Sequence, residues 1–548
     1  MIGQGLQFYN ISHQVQVINH NLTMQPYYLQ NIGVFNDGTY LNVDCGTKFN
    51  ESRSILDLFT QLKVKKNFTN QDIYDKYIPK ITSKKRLIRY QRICTLIERF
   101  QCSKVLDNWG LKIESQFTQV KAKQLPCAQI YTQPQDIFDW PYNKQSEKQF
   151  LQQIDLKYEK WAIIYAFKDF TFASILVHFL NKASKGFGIT IEEPQFVEIG
   201  RKEGRDLYSQ AINLDIDPFS TKLVVIIIDD QKQKPQIKAL LDKMGVPSQF
   251  IKRDTIIDKG YIPAVFSNLL KQIVAKLNHQ LYNVYLPSLR NSMIVGINIV
   301  NVGNQSKIGL CASMNQEISQ FYTKVESHNN PQHVKNINKR LSQNEQETII
   351  AKMRTETIGK FLLKSLSHYQ KKNAGDLPDQ IIIYRDGIGG LTFKRKLKRY
   401  EIEKVLKTIS QFKKGYDPMI IYCLIDKKTS LRLFHKENIE AQNPSPGTVL
   451  DNQLVKNNGE QIFDFYMIPH KALSGTAKPV HFNVVHNTST ISKEQFEIST
   501  YHLCYNYANV SEPIKTPSPC MYAKKIALYA AQNNVVPNKN LDFTLHFL

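Results

Sequence analysis

Residues 381–393 read IIIYRDGIGGLTF, and the fold turns on them. Ile381 to Tyr384 form a short apolar run suited to a strand covered on both faces; Gly387, Gly389 and Gly390 then break the pattern and open a loop. Asp386 is therefore expected at the C-terminal end of a strand. In open α/β sheets that edge collects ligands and catalytic groups, because the loops there converge on a crevice. Taken alone, the plainer reading is an aspartate capping the turn that follows it.

The neighbouring sequence changes that reading. PDQIIIYRDGIGG at 378–390 resembles the second carboxylate strand of the PIWI domain of Argonaute and Piwi proteins, an RNase H-like fold. SMIVGINIVNVG at 292–303 is similar to that domain's first strand, HKALSGTAKPVHFNVVHN at 470–487 to a later strand pair, and STYHLCYNYANVSEPIKTPSPCMYAKKIAL at 499–528 to its last helices. The four stretches occur in the family's order. The resemblance implies the Piwi clade and an α/β architecture: a Rossmann-like MID domain followed by an RNase H-like PIWI domain, preceded by α+β linker segments. Fold resemblance does not carry function, which has to be argued from sites.

Composition sets outer bounds. The 548 residues suffice for three or four domains, and 42% apolar residues can build real cores. Lysine and arginine number 71 against 48 acidic residues, a formal net charge of +23 that calls for a polyanionic partner. No apolar run approaches 18 residues and no signal peptide follows Met1, so the chain is expected neither to span a membrane nor to be secreted. The eight cysteines are scattered without a C-x-x-C pair, which disfavours a zinc site or a disulfide scaffold. A reducing compartment follows, nucleus or cytoplasm, with the nucleus favoured.

In the N-terminal third, VFNDGTYLNVDCG carries an Asp37-Gly38 pair read as a hairpin turn. The stretch 34–62 resembles the linker that leads into the PAZ domain of Piwi proteins, and VLDNWGLKIESQF at 105–117 the linker that follows it. A PAZ core needs on the order of 100 residues, more than the interval provides. PAZ is therefore expected to be absent, and with it the family's grip on the guide's 3′ end. The expected division is a pre-PAZ linker segment at 1–80, a second linker at 81–155, MID at 156–290 and PIWI at 291–548. Between the linkers, ITSKKRLIRYQRICTLIERF at 81–100 reads as a basic amphipathic helix. Its Lys84, Lys85, Arg86, Arg89 and Arg92 either line an RNA channel or form a solvated face, the commoner case.

From Trp161 to Tyr285 strands alternate with helices, which implies a parallel sheet with crossover helices. This segment resembles MID, whose family role is to hold the 5′ phosphate of a small guide RNA. A compact dianion needs Lys or Arg charge, an amide and helix N-terminal N–H groups. Carried across by resemblance, Lys238, Gln249 and Lys276 fall on family phosphate-binding positions. Lys234 stands where an aromatic usually stacks on the first base, and Gln280 where a second lysine is usual. Stacking is worth about 1 to 3 kcal/mol per base, so its loss is expected to weaken the grip on the 5′ nucleotide. Leu548 is read as facing the same pocket, with Mg2+ as an optional occupant there.

Two-metal cleavage in this fold needs several acidic or imidazole ligands. The family uses two Asp, a Glu on a mobile segment and a final His or Asp. Here Asp386 is present, Asn298 replaces the first Asp, and Lys524 stands at the last position. Both Glu347 and Glu356 are candidates for the mobile Glu. An ammonium about 4 Å from a metal repels each unit of its charge by roughly 4 kcal/mol at an effective dielectric of 20. Lys524 is read as neutralising Asp386, or alternatively as touching an RNA phosphate. No cofactor is expected for chemistry. The basic stretch KRKLKRYEIEKVLKTISQFKKGYDP at 394–418 reads as a helix that flanks the nucleic-acid channel or is merely solvated, and His470, His481 and His486 are not expected to share a metal.

The expected protein is thus a cleavage-incompetent Piwi-type protein. It would bind a short 5′-monophosphate RNA, act as a monomer within a ribonucleoprotein complex, and scaffold or activate a partner such as an RNA-processing enzyme. Two alternatives stay open: an active endonuclease with substituted ligands, and a structural interaction protein without RNA.

Overall fold

The computed structural model describes residues 6–9, 16–19, 22–51, most of 86–131, 137–139, 155–156 and most of 160–548. The longer internal stretches outside that description are 52–85, 140–154, 200–206, 330–341 and 387–396. Lys84, Lys85, Gln280 and the glycines after Asp386 lie outside the described residues. The chain divides into two compact units, Met1–Leu125 with Asp426–Asn483, and Pro126–Ile425 with Val484–Leu548.

In the first unit, Leu22–Phe35 and Gly38–Glu51 pair antiparallel over their whole length. The register corrects the expected turn. Phe35 pairs with Gly38, so Asn36 and Asp37 form the turn and Gly38 opens the return strand. The Asp37 carboxylate holds this turn by accepting from the Tyr40 hydroxyl at 3.1 Å.

Helix Arg86–Gln101 forms where its basic amphipathic pattern placed it, but Arg89 is neither solvated nor free for RNA. Its guanidinium lies 2.5 Å from Asp44 Oδ1, and Arg432 approaches Asp44 Oδ2 at 2.7 Å. A buried acid that takes two guanidinium groups is a structural clasp.

Two of the sheets in the second unit position the candidate sites. The first is all parallel, in the order Gln195–Ile199, Trp161–Ala166, Leu223–Ile228, Ser248–Lys252. LVVIII at 223–228 is wholly buried because alternate residues serve two cores. Leu223, Val225 and Ile227 meet Leu176, Leu180, Phe266 and Leu270 from helices Phe170–Ser184 and Pro263–Lys276. Val224, Ile226 and Ile228 meet Ile212, Ile237 and Leu241 from helices Leu207–Asp215 and Lys234–Met244. Parallel strands covered on both faces lose the polar alternation of one-sided sheets, which explains the unbroken apolar runs.

Five consecutive strands of the second, nine-stranded sheet run Phe321–Asn329, Gln305–Ser313, Ser292–Val302, Gln380–Asp386, Met419–Asp426. Its first three strands are antiparallel, and the Asp386 strand is parallel to both its neighbours. One face packs under the 30-residue helix Gln343–Lys372, which starts at a capping box of Ser342 and Glu345. Helix Ser518–Asn533 crosses the other face. The basic stretch expected as a helix over 394–418 is shorter: a π-turn at Leu397–Ile402 leads into an α-helix that ends at Ser410. Val405 and Ile409 are buried, while Lys404 and Lys407 are exposed.

Candidate functional site

Asp386 ends its strand, as its sequence context implied, and is 2% exposed. Parallel pairing sets Ile297 opposite Arg385, which brings the next residue, Asn298, beside the Asp386 side chain. Asn298 Nδ2 donates to Asp386 Oδ2 across 2.7 Å in a buried setting. A carboxylate can only accept, so the amide must turn its nitrogen inward and its oxygen away. In this arrangement Asn298 is a donor to the acid rather than a second oxygen ligand beside it.

The two strands accept helix Ser518–Asn533 at unusually close range. A Cβ on Gly296 would overlap the Pro519 backbone carbonyl, and one on Gly309 the carbonyl of Ala523. Glycine at both points is what lets the helix lie down on the sheet. Gly309 is the cross-strand partner of Asn298, so Lys524, half-buried and next after Ala523, lies on the helix turn nearest that pair. At the start of the helix the Cys520 thiol donates to the Tyr384 carbonyl at 3.2 Å.

Beneath Asp386, on the opposite face, Arg385 is fully buried. Its Nε donates to Glu401 at 2.9 Å and its Nη1 to the Asp386 carbonyl at 2.6 Å. Tyr422 donates to the same Glu401 oxygen at 2.5 Å. Arg354, from the long helix, bonds Ser306 at 3.2 Å; burial and the nearby Arg385 push its pKa down to about 10. Nothing in the sequence marked this cluster, because Arg385 reads as a surface residue until the strand is known to be covered on both faces.

Glu356 is exposed on its helix, and the Glu347 side chain lies outside the described residues. Around Asp386 the described donors are one carboxylate and an amide already bonded to it. A pair of divalent ions needs several oxygen or imidazole ligands, so this set does not suit them. His481 has its own partner, Asp464 Oδ2 at 2.7 Å, and stacks on Tyr466.

The second site gathers the lysines of the parallel-sheet domain. Lys238 and Lys276 are 4% and 3% exposed, and Gln249 is buried beside them. Lys238 Nζ donates to Asp242 Oδ1 at 3.1 Å and to the His546 carbonyl at 3.0 Å. Lys276 Nζ donates to the Ser248 carbonyl at 2.9 Å and to Gln249 Oε1 at 2.8 Å. Asp242 also accepts from the Tyr529 hydroxyl. Lys234, at the start of its helix, sits 5.5 Å over the Phe250 ring.

Burial, together with Lys238 and Lys276, pushes the His546 imidazole well below its usual range, and its Nε2 has no partner among the described residues. Burial lowers the Lys238 ammonium despite Asp242, and lowers Lys276 further, with Lys238 and Lys234 adding to the effect. Lys234 is lowered by burial and then by Lys238 and Lys252. The oxygens that these bonds place in the pocket, on Asp242, Gln249, Ser248 and His546, are each engaged by a lysine or by Tyr529.

Comparison with known proteins settles the family. The Piwi domain model matches residues 223–535, more than half of the chain. The chain belongs to the Piwi domain family. It is 27% identical over 453 residues to Piwi-like protein 1 of Danio rerio, covering 81% of this chain and 49% of that protein. Piwi-like protein Ago3 of Bombyx mori is 26% identical over 468 residues, covering 83% and 47%. The chain thus spans about half the length of the curated relatives it matches. Among solved structures, Drosophila Piwi superposes with a TM-score of 0.79 at 18% identity, over 100% of this chain and 83% of that one. Kluyveromyces polysporus Argonaute with a guide RNA gives 0.73 at 14%, over 98% and 79%.

Within this PIWI-family fold, the parallel sheet and its helices bring Lys234, Lys238, Gln249 and Lys276 to one place. Asp242, Tyr529 and His546 escaped sequence reading, although Asp242 stands one helical turn after Lys238 and was available as an i,i+4 partner. Near Leu548 it is the His546 carbonyl that receives Lys238. No helix among the described residues is long and apolar enough to cross a membrane.

Proposed function

We propose that the chain binds a short RNA by its 5′ phosphate in the lysine pocket and does not cleave the target. The observation that carries the binding half is the charge balance of that pocket: the buried Lys238 and Lys276, with the exposed Lys234 on the same helix as Lys238, gather about one buried carboxylate, Asp242, that is already engaged by Lys238 and Tyr529. Buried cations in excess of buried anions are costly unless an anion completes them. A terminal phosphate monoester supplies two charges and several strong acceptors in a compact group. Family members whose structures carry a guide RNA, as in the Kluyveromyces polysporus Argonaute, support RNA as its source.

Loss of cleavage is supported by the Asn298 amide donating to Asp386 and by Lys524 on the helix that crosses this pair. Without two metal-binding carboxylates side by side, the attacking and leaving oxygens have no paired stabiliser. The interval 52–85, between the long hairpin and the helix starting at Arg86, is short for a PAZ domain of on the order of 100 residues. A protein that holds RNA without cutting it acts through partners, and a scaffold or activator of an RNA-processing enzyme is the role that follows.

Recovering the full chain from its cells and sequencing the bound RNA tests the first half. One narrow size class bearing 5′ monophosphates is expected, and the absence of RNA overturns it. Incubating the loaded protein with a complementary target in Mg2+ or Mn2+ tests the second half: intact target is expected, and a defined cleavage product overturns it.

A further inference from the structure

We propose that the lysine pocket takes up a proton from solvent together with its anion, and that Lys276 is the group that accepts it. This inference rests on reading the pocket as the phosphate site, and it adds how the site's charge is regulated.

Lys276 ends helix Pro263–Lys276 and is 3% exposed. Its two hydrogen bonds go to neutral acceptors, the Ser248 carbonyl and Gln249 Oε1. Among the described residues no carboxylate lies within ion-pair distance of it, whereas Lys238 has Asp242 at 3.1 Å. The groups around Lys276 are Lys234, Lys238 and Asp242 from helix Lys234–Met244, Tyr529 from helix Ser518–Asn533 through its bond to Asp242, and His546 near the end of the chain. Among the described side chains, three lysines and an imidazole thus share one carboxylate.

A buried ion costs several kcal/mol unless it is paired, and a lysine escapes that cost by releasing a proton. Lys276 lacks a direct counter-charge, so it is the lysine that escapes this way. Its pKa is depressed by burial first and by Lys238 and Lys234 next, in agreement with that geometry. Two donor hydrogens suffice for its two bonds, leaving the third nitrogen position as a lone pair in the free protein. Entry of a phosphate dianion reverses the balance, because an opposite charge within about 4 to 6 Å favours the ammonium. The neutral amine, one proton and the dianion then become an ammonium hydrogen-bonded to the phosphate, with no covalent bond made or broken.

The signature lies in the pH dependence. Above the second phosphate pKa near 6 the ligand no longer titrates, so any remaining slope belongs to the protein. One proton taken up per binding event raises Kd by up to about tenfold per pH unit.

The test uses the full chain, an RNA carrying a 5′ monophosphate and the same RNA with a 5′ hydroxyl, at constant salt from pH 7 to 9. Titration calorimetry in buffers of different ionisation enthalpy counts protons directly. For the phosphorylated RNA, uptake approaching one proton and a Kd rising several-fold per pH unit are expected; for the hydroxyl RNA, neither. Lys276→Arg keeps a permanent charge and is expected to bind with no uptake and a flat profile, and Lys276→Gln serves if the arginine variant does not fold. Preference for the 5′ phosphate without proton uptake overturns the inference alone. Undiminished uptake in Lys276→Arg also overturns it, by moving the proton elsewhere. Loss of any preference for the 5′ phosphate in the unmodified chain overturns the pocket reading itself.

Discussion

Asn298 and Asp386, on adjacent parallel strands, are joined by an amide-to-carboxylate hydrogen bond of 2.7 Å that is closed to solvent. The bond gives the buried carboxylate a neutral donor. Asn298→Asp would place a second carboxylate against the first, and like charges push one of the pair up in pKa. A carboxyl raised in the fold binds protons that the unfolded chain has already released, so stability falls as pH rises through the raised value. Relative to the unmodified protein, the variant is expected to be near neutral at pH 4 and about 2 to 4 kcal/mol less stable at pH 8. Urea titrations at the two pH values check this, and equal losses at both would refute it.

Arg385 and Glu401 support that strand from below at 2.9 Å, both buried. Removing one partner of such a pair leaves an uncompensated charge, so Arg385→Ala is expected to cost about 3 to 5 kcal/mol. The double variant Arg385→Met with Glu401→Leu is expected to recover most of that loss. A double-mutant cycle by chemical denaturation measures the difference.

Gly309 lies under the Ala523 carbonyl with no space for a Cβ. Gly309→Ala is expected to lift helix Ser518–Asn533 and to cost about 1 to 3 kcal/mol as an overpacking change. A control at Gly375→Ala separates this from backbone strain: that glycine has a positive φ of 100° but open space around it, so its loss reflects conformation alone. Thermal melts of both variants, with amide exchange in the helix, distinguish the two causes.

Burial, then Lys238 and Lys234, depress the Lys276 pKa, and the neutral amine proposed above means that the unfolded chain binds a proton that the fold does not. Stability of the RNA-free protein should therefore rise with pH from neutrality towards the ordinary lysine range. Lys276→Met removes the titrating group and is expected to flatten that rise while stabilising the RNA-free protein at pH 7. Melting temperatures from pH 7 to 9 report both effects; an unchanged slope would count against a neutral Lys276.

Asp44 binds Arg89 and Arg432 at once. Asp44→Ala strands two guanidinium groups and is expected to cost about 3 to 5 kcal/mol. Because Arg89 serves the clasp, the mild variant Arg89→Lys should leave RNA affinity within about twofold of the unmodified chain. A filter-binding series at fixed salt checks this, and a large affinity loss in a folded Arg89→Lys protein would return Arg89 to the RNA interface.

Much of the site could be read from residue order. The run Ile381–Tyr384 followed by Asp386 specified a buried strand ending in an acid, and the lysines at 234, 238 and 276 were marked by the family resemblance. The hairpin was legible too, but its register was not: Asn36-Asp37 and Asp37-Gly38 are both acceptable turn pairs, and only pairing along 14-residue strands chooses between them. Charge runs misled for a related reason. A helix pattern gives the face on which Arg89 lies but not that a buried carboxylate 45 residues earlier is waiting for it.

The sequence by itself determined the family, the strand that bears Asp386, and the lysine-rich character of the parallel-sheet domain, since each depends on local pattern and residue type. Tertiary structure alone decided how those groups are charged and paired. Asn298 became a donor to Asp386, Arg385 became the inner partner of Glu401, and Lys276 was left without an acid. Hydrogen-bond direction and ionisation depend on burial and on neighbours distant in the chain, and a linear chain does not encode those distances until the sheets bring them together.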